Sequence, residues 1–281
     1  MFKISAPARQ ISLQRTGMPA ELGGVIGLIV IALSSTFIVG AIIILFDIKT
    51  TEPSFYFLYS IGLLSPTIGA IYYSWKTFRS VKPLVSLFSS LRFGPGAWMI
   101  LALPCSIASG YMVASTFGLP FYFANLPTMN SLILAAVGWS SIMWAEEIGW
   151  RGVLLPVLQK YISAMQATLV IVVIWVLWHL PLLYILDYTL IQYALFSLQI
   201  LGISAILTWA YNQSGTILVP ILIHGCGNAM GGWLISAVPE VAANDLIGIQ
   251  AAGPVFLGIL IVMLTKGRLG MEKRSNAGSA K

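Results

Sequence analysis

Eight long apolar segments limit what this chain can fold into. Most are roughly 17 to 25 residues long, the length that a helix needs to cross about 30 Å of hydrocarbon. In lipid the backbone must satisfy its own hydrogen bonds, and a helix does this within one segment. Only 9% of the 281 residues are charged, far below the value of about 25% for soluble domains. We therefore predict an all-α, polytopic membrane protein with eight transmembrane helices, at residues 23–46, 55–75, 97–117, 129–157, 163–186, 190–211, 215–237 and 246–265.

The basic residues are unevenly distributed between the connections on the two sides. If the N-terminus is cytoplasmic, 14 of the 15 basic residues fall on the cytoplasmic side and only Lys49 falls on the other. The positive-inside rule then predicts a multi-pass protein of the cell (plasma) membrane with both termini in the cytoplasm. The net charge of +6 follows from this topology, so the lipid bilayer is the expected partner and nucleic acid is not.

The connections are short, and no internal repeat or low-complexity segment stands out. We expect one membrane domain over residues 1–281 with its core at about 22–267, a basic cytoplasmic N-terminus at 1–20 and a disordered basic tail at 271–281. The first apolar run is too long for the hydrophobic region of a signal peptide, so a retained first span is expected.

Residues 76–96 alternate basic residues with Val, Leu and Phe. Two interpretations stay open for them: a short amphipathic helix in the cytoplasmic interface, or an ordinary positively charged loop. Cys105 and Cys226 both lie in apolar runs, so we expect them to be packing residues and not a disulfide.

Very few ionisable residues lie within the predicted spans. Each costs roughly 2.5 to 3.5 kcal/mol on insertion scales, and such residues usually mark a functional site. They are Glu146, Glu147 and Arg151 in the fourth span, His179 in the fifth and His224 in the seventh. The chain has 2 histidines, and both are among them.

The two glutamates are not equivalent on a helix. Glu147 and Arg151 are at i and i+4 and can pair on one face, whereas Glu146 is rotated by about 100° from Glu147. One interpretation is that Arg151 neutralises Glu147 and the group only packs the helix, but it leaves Glu146 without a partner. A carboxylate in that position is suited to act as a general base. Gly149 and Gly152 flank Trp150 and would let neighbouring helices approach closely.

A second polar group is predicted from the seventh span. His224 and Asn228 are at i and i+4, so an imidazole and a carboxamide share one helix face. Counted along their spans, Glu146, His179 and His224 lie at compatible depths. We expect them to meet in one conical intramembrane cavity that opens toward the cytoplasm.

A glutamate, two histidines and an asparagine in such a cavity favour hydrolysis by an activated water. The carboxylate, helped by one imidazole, can take a proton from the water, and the second imidazole and the carboxamide can stabilise the oxyanion. Cys226 is discounted as a nucleophile because side chains at i and i+2 point apart.

Zinc is the competing mechanism, with Glu146, His179 and His224 as its ligands. We favour a reaction without a cofactor, because there is no HExxH motif and no further carboxylate is evident near the histidines to orient them. A non-catalytic immunity or scaffold protein and a proton-coupled transporter also stay open, although no inverted repeat is found.

Three motifs lie in order on the fourth, fifth and seventh predicted spans: EEIGWR (Glu146 to Arg151), WVLWH (Trp175 to His179) and HGCGN (His224 to Asn228). They resemble the EExxxR, FxxxH and HxxxN/D motifs of the CAAX prenyl endopeptidase and bacteriocin-processing (CPBP, or Abi) family of intramembrane proteases. Together they are highly specific, whereas one alone would be weak. Trp175 stands where that family usually has Phe, a conservative aromatic change.

The resemblance implies a glutamate-type intramembrane peptidase that needs no metal. The implied roles are general base for Glu146, assisting group for His179, oxyanion hole for His224 and Asn228, and support of the site for Glu147, Arg151 and Trp175. Eukaryotic relatives cleave the last three residues from prenylated CAAX proteins. The expected substrate here is a membrane-associated peptide or a lipidated protein, and CAAX specificity is not assigned.

Overall fold

The computed structural model describes residues 18–89, 94–239 and 246–271. All regular structure in these ranges is helical, which confirms the all-α prediction. The predictions made for residues 1–17 and 272–281 lie outside the described residues. The helices are α1 (Met18–Leu45), α2 (Pro53–Phe78), α3 (Lys82–Ser86), α4 (Met99–Thr116), α5 (Met129–Ser140), α6 (Trp144–Glu147), α7 (Leu155–Leu158), α8 (Ala164–Ile185), α9 (Leu190–Ser214), α10 (Leu218–Ile235) and α11 (Leu246–Thr265).

Seven helices in the described ranges are long and apolar enough to cross a membrane: α1, α2, α4 with the short 3₁₀ turn Pro95–Trp98 that precedes it, α8, α9, α10 and α11. Many of their large apolar side chains are exposed, as expected of residues that face lipid tails. Capping boxes at Ser163 and Thr189 fix where α8 and α9 begin, because each hydroxyl accepts a hydrogen bond from a free backbone N–H of the first turn. The chain is therefore a multi-pass integral membrane protein.

The fourth predicted span, residues 129–157, is not one continuous helix. α5 ends at Ser140, a turn follows, and α6, a π-helical stretch (Ile148–Leu154) and α7 then form a second helical unit over residues 144–158, the central helix. Side chains satisfy the carbonyls at the break: Ser141 Oγ donates to Gly138 O at 2.7 Å, and Trp144 Nε1 donates to Ser141 O at 2.9 Å. The count of eight continuous transmembrane helices is therefore not confirmed.

The central helix is held tightly against α2. Thr67 Oγ1 donates to the carbonyl oxygens of Trp144 and Ala145, at 3.2 and 2.8 Å, just before the π-helical stretch begins. Gly149 lies against Pro66, where an added Cβ would come within 2.6 Å of the Pro66 carbonyl oxygen. The predicted close approach at Gly149 is thus confirmed, and only glycine fits there.

Residues 76–96 contribute the end of α2, a short helix and buried contacts that anchor the segment to the bundle. α3 spans five residues, and Leu87 just after it is buried, whereas Val85 and Phe88 are exposed. The Leu87 side chain packs against Gly152 of the central helix, where an added Cβ would lie 2.7 Å from Leu87 Cδ1. Residues 90–93 lie outside the described ranges.

The helices define two ends of the bundle. At one end Lys160 Nζ bonds to Glu21 Oε1 at 2.8 Å, which joins the start of α1 to the connection between α7 and α8. Asn212 Nδ2 donates to Leu269 O at 2.8 Å, which joins the ends of α9 and α11. We call this the basic end, because Lys76, Arg79, Lys82, Lys160, Lys266 and Arg268 lie at it.

The other end holds the α1–α2, α8–α9 and α4–α5 connections. There Tyr122 N donates to Ala237 O at 2.8 Å, which joins the α4–α5 connection to the end of α10. We call it the acidic end, because Asp47, Glu52 and Asp187 lie at it and Lys49 is its one basic side chain in the described ranges. The predicted charge asymmetry between the two sides therefore appears in the fold.

Candidate active site

One cavity of about 420 Å³ lies inside the bundle, a volume typical of ligand-binding sites. Its walls include Glu146 from the central helix, His179 from α8, and His224 and Asn228 from α10. Three separate elements thus bring the four predicted site residues together. Their chemical roles stay predictions.

Glu146 is 4% exposed and is bonded to an indole. Trp175 Nε1 donates to Glu146 Oε2 at 2.8 Å, from one helix to the next. Among the described hydrogen bonds, Glu146 is bonded to Trp175, whereas Nδ1 of His179 bonds to Trp175 O and Nδ1 of His224 bonds to Glu147. The replacement of the usual Phe by Trp175 is also more than a conservative aromatic change, because a phenyl ring has no N–H to donate.

Glu147 binds two cationic or potentially cationic side chains. Its Oε1 accepts from Arg151 Nη1 at 3.1 Å, as the i and i+4 spacing predicted, and also from His224 Nδ1 at 2.8 Å. The expectation that no carboxylate lies near the histidines is therefore wrong. The sequence could not reveal this contact, because Glu147 and His224 are on helices far apart in the chain.

Arg151 completes this buried cluster. Both Arg151 and Glu147 are 0% exposed, and Arg151 Nη2 donates to Ser204 Oγ of α9 at 3.1 Å. The guanidinium carbon also lies 4.5 Å from the centre of the Trp175 ring, within the range of a cation–π contact. Arg151 was counted among the cytoplasmic basic residues, but its burial places it in the site and not on the basic end.

His179 is held by its own helix and by aromatic rings. Its Nδ1 lies 2.8 Å from Trp175 O, and a carbonyl can only accept, so Nδ1 carries a proton. The Trp178 and Phe196 rings contact the imidazole edge to face, at centroid distances of 4.7 and 5.0 Å. In the neutral ring the lone pair therefore lies on Nε2.

Asn228 makes a weak hydrogen bond within the described residues: its Nδ2 lies 3.4 Å from the thioether sulfur of Met143. Sulfur is a weak acceptor, so the amide keeps most of its capacity to donate to a substrate. His224, one turn earlier on α10, packs edge to face on Trp175 with ring centroids 5.3 Å apart.

Several polar and aromatic residues of the cavity were missed in the sequence. Tyr59, Trp139, Gln199 and Gln250 line it, and Gln250 Nε2 donates to Tyr111 Oη at 2.8 Å. Gln199 and Gln250 could have been suspected, because a carboxamide within an apolar span is costly unless it has a partner. Because both residues are far along the chain from the three motifs, nothing in the sequence indicated that they line the same cavity.

No three His, Cys, Asp or Glu side chains of residues 18–89, 94–239 and 246–271 are grouped so that they could hold a metal ion. The alternative ligand set of Glu146, His179 and His224 lines the cavity without forming such a group. The absence of a cofactor stays a prediction, which metal analysis can test.

The cavity extends to the acidic end of the bundle. Its walls include Tyr188 in the α8–α9 connection, Gly232 near the end of α10 and Gln250 near the start of α11. Since the basic end is the one expected in the cytoplasm, the predicted opening toward the cytoplasm is not confirmed. The position of the cavity depends on where these helices end relative to one another. The spacing of residues along a single helix does not reveal it.

Two comparisons with known proteins agree with the motifs. Residues 128–230 match the family described as "Type II CAAX prenyl endopeptidase Rce1-like", and this region contains all four predicted site residues. CAAX prenyl protease 2 of Methanococcus maripaludis is 30% identical over 190 residues, which cover 63% of this chain and 65% of the relative. The match thus spans slightly less than two thirds of the length of that relative. Residues 128–230, which carry the EExxxR, WVLWH and HxxxN motifs, are therefore similar to the Rce1-like CAAX prenyl endopeptidases.

Proposed function

We propose that this protein is an intramembrane endopeptidase that hydrolyses a peptide bond of a membrane-associated peptide with a water activated by Glu146. The observation that carries the proposal is the convergence of Glu146, His179, His224 and Asn228 on one cavity from three helical elements. Burying such groups in a membrane bundle is costly, so their convergence favours a chemical role over simple packing.

Glu146 acts as the general base. Its Oε2 is bonded to Trp175 Nε1, which leaves Oε1 to accept a hydrogen from the attacking water. As the water oxygen attacks the carbonyl carbon of the substrate, its proton passes to the carboxylate. Trp175 is a positioning residue in this scheme, because its N–H fixes the orientation of the carboxylate.

His179 assists the proton transfer. Because Nδ1 donates to Trp175 O, Nε2 is the nitrogen that can accept a hydrogen from the water or relay a proton to the leaving group. When the tetrahedral intermediate collapses, the C–N bond breaks. The proton taken from the water then passes to the leaving amine.

His224 and Asn228 stabilise the oxyanion. Glu147 holds Nδ1 of His224, so Nε2 remains to contact the substrate, and as an imidazolium it donates to the developing negative charge. The Asn228 amide, weakly held by Met143, supplies a second donor. Glu147 and Arg151 keep His224 in place through their buried ion pair.

The substrate is a peptide held at the membrane by a span or a lipid anchor. The relative is named a CAAX prenyl protease, so a prenylated, CAAX-like peptide belongs to the class to be tested. We place the protein in the cell membrane with both termini in the cytoplasm, because the basic end carries nearly all the exposed cationic side chains of the described ranges. The reaction proceeds without a cofactor in this proposal.

The test compares Glu146→Gln with a matched control, Glu52→Gln, which removes a carboxylate from the loop at the acidic end. Purified protein is incubated with a library of membrane-anchored peptides, with and without a prenyl group, and products are detected by mass spectrometry. Glu146→Gln should lose at least about 10²-fold in kcat, as expected when a general base is removed, and Glu52→Gln should cleave like the wild type. Undiminished cleavage by Glu146→Gln would contradict the mechanism.

A further inference from the structure

Two carboxamides that the proposed reaction does not use line the cavity. Gln199 lies in α9 and Gln250 lies near the start of α11. No hydrogen bond from the Gln199 side chain is found within the described residues. A carboxamide inside a membrane bundle is costly unless its donors and acceptor are bonded, so both groups are suited to bind a polar ligand in the cavity.

Close packing of α9 on α11 places the two carboxamides at the same level. The helices run in the same direction, and their ends at the basic end are joined by a hydrogen bond. Gly248 packs against Leu195, where an added Cβ would lie 3.3 Å from Leu195 Cδ1, and a Cβ at Gly202 would come within 2.5 Å of Pro254 O. The carboxamide of each helix lies between these two contacts.

Tyr111 of α4 holds the Gln250 amide in one orientation. Gln250 Nε2 donates to Tyr111 Oη at 2.8 Å, and Tyr111 is 0% exposed. One residue earlier on each helix, an added Cβ at Gly110 would come within 2.7 Å of Ile249 O, so the backbones are in direct contact beside this bond. With Nε2 turned toward Tyr111, Oε1 of Gln250 is left to accept a hydrogen bond from a substrate.

The Gln250 amide lies about one helical turn from Asn228. It packs over Gly231 of α10, where an added Cβ would be 3.7 Å from Nε2 and 3.9 Å from Oε1. Gly231 is three residues after Asn228, a rise of about 4.5 Å. An extended peptide advances about 3.3–3.6 Å per residue. A substrate whose scissile carbonyl contacts Asn228 therefore reaches Gln250 with the backbone of the next one or two residues.

We propose that Gln199 and Gln250 form a carboxamide pair that binds the substrate backbone beside the scissile bond. Gln250 Oε1 accepts a backbone N–H, and the Gln199 amide donates to a backbone carbonyl. A peptide that leaves water for the cavity needs such partners, because its unbonded N–H and C=O groups would be costly. Tyr111 is the positioning residue for Gln250. This inference rests on the proposed function for its peptide substrate.

The experiment measures peptide binding in a Glu146→Gln background, so that bound peptide is not consumed. Fluorescent peptides from the membrane-anchored library are titrated in detergent and followed by anisotropy. The tightest binder is then remade as a series in which one backbone N–H at a time is replaced by an ester oxygen. Gln250→Leu and Gln199→Leu are compared with Gln213→Leu, which removes a carboxamide outside the cavity that donates to Gly270 O at 3.3 Å.

Gln250→Leu and Gln199→Leu should each weaken binding by about 2- to 10-fold, the loss expected for one neutral hydrogen bond, and Gln213→Leu should bind normally. One ester peptide should lose affinity by a similar factor. That peptide should show no further loss with Gln250→Leu, because the N–H and its acceptor form a single bond. Additive losses at every position would overturn the role of Gln250, and normal binding by Gln199→Leu would overturn the pair.

Tyr111→Phe separates substrate binding from a purely structural role. It removes the bond between α4 and α11 but keeps the Gln250 carboxamide. The critical ester should therefore still weaken binding to Tyr111→Phe, although it no longer weakens binding to Gln250→Leu. Equal losses in the two variants, with additive effects of every ester, would show that Gln250 only joins the helices.

Cleavage of the same peptides by the protein with Glu146 intact distinguishes this inference from the proposed function. Where cleavage occurs, kcat/KM should show the same coupling between Gln250 and the critical N–H. Coupled binding without cleavage would overturn the proposed function and leave the carboxamide pair standing. Cleavage with additive losses would do the reverse, and peptides that are neither bound nor cleaved would contradict both.

Discussion

The two sides of the central helix differ in what surrounds their polar groups: Glu147 and Arg151 are fully buried, with Glu147 Oε2 and Arg151 Nε lacking a hydrogen-bond partner among the described residues, whereas Glu146 lines a cavity. On the inner side, Glu147, Arg151, Ser204 and His224 bind one another in a buried cluster. On the cavity side, within the described part of the chain, Glu146 accepts a hydrogen bond from Trp175, His179 is hydrogen-bonded through Nδ1, and Asn228 hydrogen-bonds weakly to a sulfur atom. Groups that are buried against one another hold a structure, whereas groups that line a cavity are available to a substrate.

This difference predicts that substitutions on the inner side mainly affect stability and those on the cavity side mainly affect turnover. His224 belongs to both sides, because Nδ1 is held by Glu147 while the ring lines the cavity. The following tests try to break that division, in order of decreasing expected effect.

Glu147→Ala should cause the largest loss of stability. It leaves Arg151 as an uncompensated buried charge, which costs about 3–5 kcal/mol when one partner of a buried pair is removed. The measurement is the thermal unfolding midpoint in detergent. The double variant Glu147→Ala with Arg151→Met removes both charges and should recover much of the loss. No recovery would show that the ion pair is not what holds the central helix.

Trp175→Phe should lower kcat by about 10- to 100-fold with little change in KM, the loss expected for a hydrogen bond to a charged group worth about 1.5–3 kcal/mol. It removes the N–H that positions Glu146 and keeps an aromatic ring. The matched control is Trp178→Phe on the same helix, which removes the indole N–H that donates to Ser65 Oγ at 3.0 Å. Equal losses of kcat in both variants would mean that Trp175 acts through packing alone.

Ser204→Ala should have a smaller effect, at the lower end of about 1–3 kcal/mol in stability, because Arg151 keeps its ion pair and loses one neutral acceptor. Urea or thermal unfolding of the purified protein measures it. Turnover should stay close to that of the wild type once the protein is folded. A large fall in kcat without a fall in stability would place Ser204 on the catalytic side of the division.

Metal removal should have the smallest effect. We expect purified protein to contain no stoichiometric zinc, and treatment with a chelator to leave the cleavage rate unchanged. Elemental analysis alongside the activity assay provides the measurement. Stoichiometric zinc with chelator-sensitive cleavage would contradict activation of the water by Glu146 alone and favour a metal-assisted mechanism. Glu147, which is bonded to His224, would then be the carboxylate that orients this histidine.

The sequence alone determined the class of the protein and most of its helices. Apolar segments long enough to cross a bilayer require helices, and i and i+4 spacing places Glu147 with Arg151, and His224 with Asn228, on shared faces. These features depend on one helix at a time, so they can be predicted from the order of residues. The three motifs also identified Glu146, His179, His224 and Asn228, which line the cavity together with residues that the motifs do not contain.

Only the tertiary structure decided which groups from different helices meet. The rotation and register of the central helix depend on packing such as that of Gly149 against Pro66, and they turn Glu147 toward His224 and Glu146 toward Trp175. The break after Ser140 and the position of the cavity near the acidic end have the same origin. Residue spacing fixes the angle of a side chain on its own helix, whereas contacts between helices are set by how their surfaces fit together.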